Sequence, residues 1–520
     1  LTALGGSYNL QRGLAIFSPP EGTPLTPFIA VEAYHELGPF KNPEDFVRYN
    51  IFSKFTLLSN ATSNLSLTGT FFKSSWNASG EIPLREVKAG RLGWFGAIDP
   101  SEGGRTERQN VNLIYNFEDA NQSFNAQAWA SRYRFDLFSD FTFFLNDQTN
   151  GDEIEQTDKR IFGGSYLNYK RHYSLFDIPM ETLLGFSSRT DHADVGLFHA
   201  KKGRRFVSPL TSLSTISSSL VNQTNLAWYA QQEFRPYTWL RMQLGVRFDK
   251  FFFDVRNLAR NAEKKPSGKA EDFIASPKLN LVLSPFADNA VAKRSEIYLN
   301  LGSGFHSNDA REVVTDPAKT ALPRAIGGEA GYRTKLFDRF DVAVDYWALN
   351  LASELVWAGD EGTTEAKGRT QRHGVEGEFR YQILDWLSAD LDTSYTFSKF
   401  VKTGQAVPLA PHFLAYGGFT ARHSSGLEGR IQMRHVGDRW GDEDRVQVVR
   451  GYTIFDLLAK YKWDRYEFLF SINNIANTRW KAAQFFHESR PRPGGPVTND
   501  IHFTPGEPLT IKAGMTVHLW

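Results

Sequence analysis

The sequence predicts an all-β fold, one large antiparallel β-barrel of about 22 strands that crosses a membrane. Three observations predict it. Long segments alternate with a period of two, so that one face is apolar while the other carries charges and hydroxyls. The connections between these segments are alternately short and long. The chain is polar on average, with a mean hydropathy of −0.40, yet 14% of its residues are aromatic: 42 Phe, 19 Tyr and 12 Trp. No run of eighteen apolar residues occurs, which excludes a bundle of membrane helices.

The alternation is clearest between Arg369 and Lys399. Leu387, Ala389, Leu391, Thr393, Tyr395 and Phe397 take one face of a strand; Ser388, Asp390, Asp392, Ser394 and Thr396 take the other. Just before it, Val375, Gly377, Phe379 and Tyr381 alternate with Glu376, Glu378, Arg380 and Gln382. A single such hairpin fits a half-exposed soluble sheet equally well. Repetition along the whole chain favours strands with lipid on one side and a wet bore on the other.

In chain order, the first fifty residues read as short strands broken by Pro and Gly, and 61–73 alternate again. A polar loop follows over 77–108, with an apolar knot at Leu92, Gly93, Trp94 and Phe95. Strands are predicted at 110–117 and 122–135, then a loop over 137–160 that is aromatic first and acidic after. Further strands fall at 163–173 and 180–189, before a loop over 192–219 that holds Lys201, Lys202, Arg204 and Arg205. Beyond it strands are predicted at 224–234, 239–248, 273–285, 295–305, 328–335, 340–349 and 354–357, then the two of the opening hairpin. The last are at 414–420, 427–435, 453–463, 465–473 and 509–520. The segments 335–339, 384–386 and 463–465 are tight turns, whereas 358–372, 399–411, 435–451 and 474–508 are long. That asymmetry predicts short periplasmic turns at one rim and long extracellular loops at the other. At about 24 residues per strand with its share of loop, the length gives the strand number, and a barrel so wide has a lumen that needs filling.

Composition narrows the function. Cysteine is absent, so disulfides, thiolate metal sites and a Cys nucleophile are excluded. The formal net charge of +1 gives no field to recruit nucleic acid. Glycines at 163–164 and 302–304 fall in strands or turns without the strand–turn–helix context of a nucleophile elbow or phosphate loop. The sequence therefore predicts neither an enzyme nor a cofactor.

Several segments then carry a family likeness. Residues 322–357 hold Glu329, Gly331, Tyr332 and Arg333, then the aromatic pair Tyr346–Trp347. Arg372, Gly374, Glu376 and Gly377 follow at the opening of a strand. Later come Phe470–Ser471–Ile472–Asn473–Asn474–Ile475–Ala476–Asn477 and Thr504–Pro505–Gly506–Glu507–Pro508 before a closing strand to Trp520. Together they resemble the barrel of TonB-dependent outer-membrane receptors. Departures are Arg324 after Pro323, where the family has Glu, and Glu507 and Leu509, where it has basic residues.

The resemblance implies a Gram-negative outer-membrane receptor for a metal chelate such as a ferric siderophore, surrounded by outer-membrane lipid and lipopolysaccharide. The family also carries an N-terminal plug preceded by a TonB box, and no plug-like stretch is recognisable before Phe28. Residues 1–520 therefore read as barrel, with Leu1 to Phe17 a plug remnant or a first strand. Contact with the TonB complex is expected only if a plug exists. The rival expectations are a structural platform whose lumen is filled by a partner chain, and a plug-free diffusion channel.

Candidate ligand residues are the loop aromatics Trp94, Phe95, Phe141, Phe143, Phe144, Trp440, Phe485 and Phe486, which suit a catecholate or another planar face. The basic candidates are Lys201, Lys202, Arg204, Arg205, Arg490 and Arg492, which suit an anionic chelate or lipid phosphate. Asp438, Asp442, Glu443 and Asp444 make the loop beyond His435 acidic enough for a cation, although a solvated loop with paired charges is the plainer reading. Glu376, Glu378, Arg380, Asp390, Asp392, Glu428, Arg430 and Arg434 are expected to face the lumen, paired across water or with whatever fills the bore.

Overall fold

The computed structural model describes residues 1–519 except 21–22, 24, 286–290, 317–318 and 359–362. Its body is a closed 22-stranded antiparallel sheet. Each barrel strand pairs with the next along the chain, and the ring closes where the first strand, Thr2–Gly6, meets the last, Thr510–Val517. The opening segment is thus part of the wall. Closure brings two backbones unusually near: a Cβ on Gly6 would lie 2.6 Å from the Ile511 carbonyl oxygen, and one on Gly514 2.5 Å from that of Ala3. Only glycine fits at either place.

One rim holds the short connections. Phe176–Asp177 and Phe337–Asp338 turn with both residues at positive φ, 52° and 61° in the first pair and 53° and 57° in the second. These are the values of a type I′ turn, whose twist matches the flanking strands. The same rim carries exposed Phe176, Tyr237, Trp239, Phe337, Trp386 and Trp463, with Tyr237 stacked on Trp239 and Trp463 on Tyr466. Such a ring of aromatics is what anchors a barrel at a membrane interface. Above it the outward positions are apolar: Val375, Tyr395, Phe419, Ile431 and Phe455 are all exposed.

The other rim carries the long connections 78–102, 140–153, 200–214, 306–323, 352–369, 401–412, 437–451 and 474–509. Three differences from the sequence reading stand out. The segments expected as loops at 137–160 and 192–219 are loop only over 140–153 and 200–214, since the wall here runs Ile154–Leu175, Ile178–His199, Thr215–Tyr237 and Leu240–Asn257. Thr215–Tyr237 has 23 residues, about twice what the hydrocarbon requires. Beyond the lipid both faces are wet, so alternation fades while the hydrogen-bonded ladder continues. The segment expected as a barrel strand at 354–357 is instead half of a small hairpin, Glu354–Ala358 with Thr363–Lys367, set in a loop. The long loop 77–108 ends earlier than expected, because Gly103–Glu118 is already wall. Trp520, the terminal aromatic, lies outside the described residues.

Candidate functional site

The long loops do not hang separately. Lys481–Ser489 and Thr498–Pro505, both within 474–509, pair with each other, and the second pairs with Ile82–Pro83 from 78–102. Ile82, Val449, Ile501 and Phe503 form a buried apolar knot, with Leu84, Val87, Leu92, Trp94, Leu409 and Phe486 packed round it. These residues come from four loops, so the knot is a small core built over the barrel rim. Further along, Phe143 and Arg490 form a parallel bridge. Loop 474–509 leaves the wall between its last two strands, yet it touches the loop between the seventh and eighth. A contact across so much of the circumference must arch over the mouth.

Polar bonds fix the same junction. The Arg85 guanidinium donates to the Ser489 carbonyl at 2.9 Å and to its hydroxyl at 2.8 Å, and the Arg85 amide donates to Asp500 at 2.7 Å. The Ser489 hydroxyl lies 2.7 Å from Nε2 of His502, whose Nδ1 is 3.1 Å from the Asp500 carbonyl. A carbonyl only accepts, so Nδ1 carries the hydrogen and Nε2 accepts from Ser489. Burial, with His487 and Arg85 alongside, holds the His502 imidazole well below its usual range. His487 stacks on it at 3.8 Å between ring centroids. Nearby carboxyls move the other way: burial and then Asp140 push Glu102 well up, burial does the same to Asp140, and burial with Asp99 brings Glu153 to about 7.

The candidate aromatics fall into this cap. Trp94 packs 4.8 Å from Phe503, Phe95 sits edge-on to Phe40 at 5.8 Å, and Phe143 is fully buried. Phe141 is half-buried beside it. The Phe144 amide donates to the Arg490 carbonyl at 3.0 Å, and the Arg490 amide to Thr142 at 3.1 Å. Of the basic cluster, Lys201 donates to Asn150 at 2.7 Å, while Arg205 pairs with Glu155 and lies 3.5 Å over the Phe198 ring. Lys202 and Arg204 are exposed at the tip of that turn. Trp440 belongs to a short hairpin, Arg439–Trp440 with Val448–Val449, and its carbonyl accepts the Leu409 amide at 2.7 Å.

Phe485 and Phe486 line a cavity of about 580 Å³ together with Lys367, Arg372, Gln405 and Glu443. Its charges are tied in place, Lys367 to Glu443 at 2.6 Å and Arg372 to Glu354 at 2.7 Å. Carboxylates outnumber cations in its lining, with Asp442 and Asp444 also present.

On the wall below, the register sets Glu376, Glu378 and Arg380 opposite to the exposed Val375 and Tyr381. Arg430 grips Asp390 with two bonds of 2.5 and 2.8 Å, and Arg380 pairs with Asp392 at 2.7 Å. Glu428 pairs with Arg422 at 3.1 Å, and Arg434 lies 5.3 Å from the Trp480 ring. Arg85, His487, Asp500 and His502 escaped sequence reasoning. Arg85 and Asp500 are far apart in the chain, and no local pattern marks a pair that only the loop crossing brings together.

The family described as TonB dependent receptor-like, beta-barrel, matches residues 46–475. No curated protein matches the chain in sequence. Among solved structures, the siderophore receptor PiuA from Acinetobacter baumannii is similar at 13% identity and a TM-score of 0.79, over 99% of this chain and 80% of that one. The ferric yersiniabactin uptake receptor FyuA from Yersinia pestis is similar at 12% identity and a TM-score of 0.76, over 100% and 79%. The copper transporter OprC is similar at 12% identity and a TM-score of 0.74, over 99% and 81%.

Proposed function

Because this chain belongs to the TonB-dependent receptor-like β-barrel family, an outer-membrane family of transport receptors rather than enzymes, we propose that it takes up a metal chelate such as a ferric siderophore. The observation that carries this reading is the loop cap arched over the mouth, with an aromatic-walled cavity of about 580 Å³ inside it. That volume is in the range of small-molecule sites. Phe485 and Phe486 offer faces for a flat ligand, and Lys367 and Arg372 offer donors for its oxygens. The excess of carboxylates favours chelates of low net negative charge over highly anionic ones. Similar folds serve proteins described as ferric-chelate receptors and as a copper transporter, so the metal is the open variable.

The polar face of the wall supports a second element. With the apolar face on lipid, Glu376, Glu378, Arg380 and the pairs Asp390–Arg430 and Asp392–Arg380 turn to the bore, where a plug segment or a partner chain would meet them. Coupling to the TonB complex runs through such a plug, and a bore left open would act as a diffusion channel.

The test is quenching of intrinsic tryptophan fluorescence in the purified barrel by ferric, cupric and cobalt chelates chosen across a range of charge. Saturable binding of one class, weakened by Phe485→Ala and Arg372→Gln, supports the proposal. Large steady currents in planar bilayers with no saturable chelate binding would replace it with the channel.

A further inference from the structure

A second concavity lies on the outer side of the wall, at the rim of the long loops. Gln371 pairs with Lys399 and His373 with Phe397 across adjacent strands, so all four share one face. That face is the lipid-facing one, since Val375, Tyr395 and Phe397 on it are exposed apolar residues. Above them, His412 enters from the loop 401–412, and Trp440 and Arg445 from the loop 437–451, closing a pocket of about 360 Å³. The imidazoles bracket the Phe397 ring, His373 at 5.4 Å and His412 at 6.4 Å between centroids. Tyr395 meets Phe397 edge-on at 5.0 Å and Phe413 at 6.5 Å, carrying the aromatic row down the wall.

The charge of this pocket is one-sided. Among the described residues its lining contains Lys399, Arg445, His373 and His412, and no Asp or Glu. Arg445 donates to the Gly404 carbonyl at 2.9 Å, which steadies the guanidinium without neutralising it. His412 spends Nδ1 on the Thr396 carbonyl at 3.1 Å, leaving its Nε2 for another partner. Elsewhere on this protein cations are commonly matched to carboxylates, as in the cavity under the cap. Cations gathered without acids, beside an aromatic surface that continues into the lipid-facing wall, make a site for an anion attached to a greasy tail.

We propose that this pocket holds the phosphate of an outer-leaflet glycolipid, with Lys399 and Arg445 on the phosphate oxygens and Phe397 against the first carbons of an acyl chain. The pocket opens on lipid and not on the bore, so a membrane lipid reaches it by lateral diffusion while the transported ligand enters through the mouth. Bound there, the lipid would also brace the loops 401–412 and 437–451, which supply part of the wall of the cap cavity.

Native mass spectrometry of the full chain in detergent tests this, with bisphosphorylated lipid A as the probe and its dephosphorylated form and inorganic phosphate as comparisons. The expected result is retention of lipid A, retention about tenfold weaker for the dephosphorylated form, and no displacement by inorganic phosphate. Lys399→Gln with Arg445→Gln lowers retention by about tenfold, whereas Lys462→Gln, at the opposite rim, leaves it unchanged. Folding is checked by heat-modifiable gel mobility; if the double variant does not insert, Arg445→Gln alone, in an exposed loop, is measured instead. Equal retention of the dephosphorylated lipid, displacement by free phosphate, an equal loss in the Lys462 variant, or no loss in the pocket variants would each overturn the proposal.

Discussion

Replacing Phe503 by Ala separates the cap from the barrel. Phe503 is fully buried, with the Trp94 ring at 4.8 Å and the Lys481 ammonium 5.0 Å from its ring centroid. Truncating a buried Phe costs about 3–5 kcal/mol, the larger figure where neighbours cannot close the gap. Ile82 and Ile501 sit on paired strands and cannot follow, but Trp94 and Leu92 come from an irregular stretch and can. A cost of about 3 kcal/mol is therefore the working figure. At about 1.4 kcal/mol per tenfold, the opening equilibrium of the cap rises by roughly two orders of magnitude. Hydrogen exchange reads this directly: amides in 82–92, 481–489 and 498–505 should exchange about a hundredfold faster, while the strands Thr370–Leu384 and Leu387–Phe400 keep their protection. If 82–92 is unaffected, the knot is not what holds the loops. If wall and cap speed up together, they are one cooperative unit, and the argument for an independently opening cap is wrong.

Two further outcomes follow from the same structure. The folded-state carboxyls of Glu102, Asp140 and Glu153 are raised above their unfolded values, so their contribution is complete at acid pH, below about 4, and is lost as pH rises through the folded values, about 7 for Glu153. Protection of the loops 140–153 and 200–214, corrected for intrinsic exchange, should fall between pH 5 and 8, and Glu102→Gln should flatten part of that fall; a pH-independent profile would contradict the burial argument. Ile431→Arg places a charge on the lipid face and should destabilise folding into bilayers by about 2–4 kcal/mol, whereas Gln432→Arg, one residue on and facing the bore, should cost under about 1 kcal/mol. Urea titration of vesicle-inserted protein measures both, and equal costs would mean that the two faces are assigned wrongly.

The turn at Phe337–Asp338 shows how far local sequence reaches, since 335–339 reads as a tight connection from the sequence. Short turns between alternating segments are readable because turn and strand preferences act over a few residues, so the asymmetry of the rims was legible, while the strand number followed from the chain length and the closed sheet from the alternation. Thr215–Tyr237 shows the limit within the wall: its upper part lost the lipid-imposed alternation and read as loop, although the backbone ladder continues regardless of which side chains face water. The candidate site was legible only in kind. Aromatic and basic loop residues were identifiable, but nothing local distinguishes Trp94 and Phe143, which pack into the cap, from Phe485, which lines a cavity.

The sequence by itself determined what depends on the solvent at each face: a strand between lipid and water must alternate, and twenty-two of them must close because an open edge cannot be left in hydrocarbon. Only the tertiary structure decided where the loops go. Their contacts, Arg85 with Ser489 and Asp500, Phe143 with Arg490, Trp94 with Phe503, join segments hundreds of residues apart. Such pairings are selected by ring closure, which brings the last strands beside the first, and by packing among side chains that no shared periodicity connects.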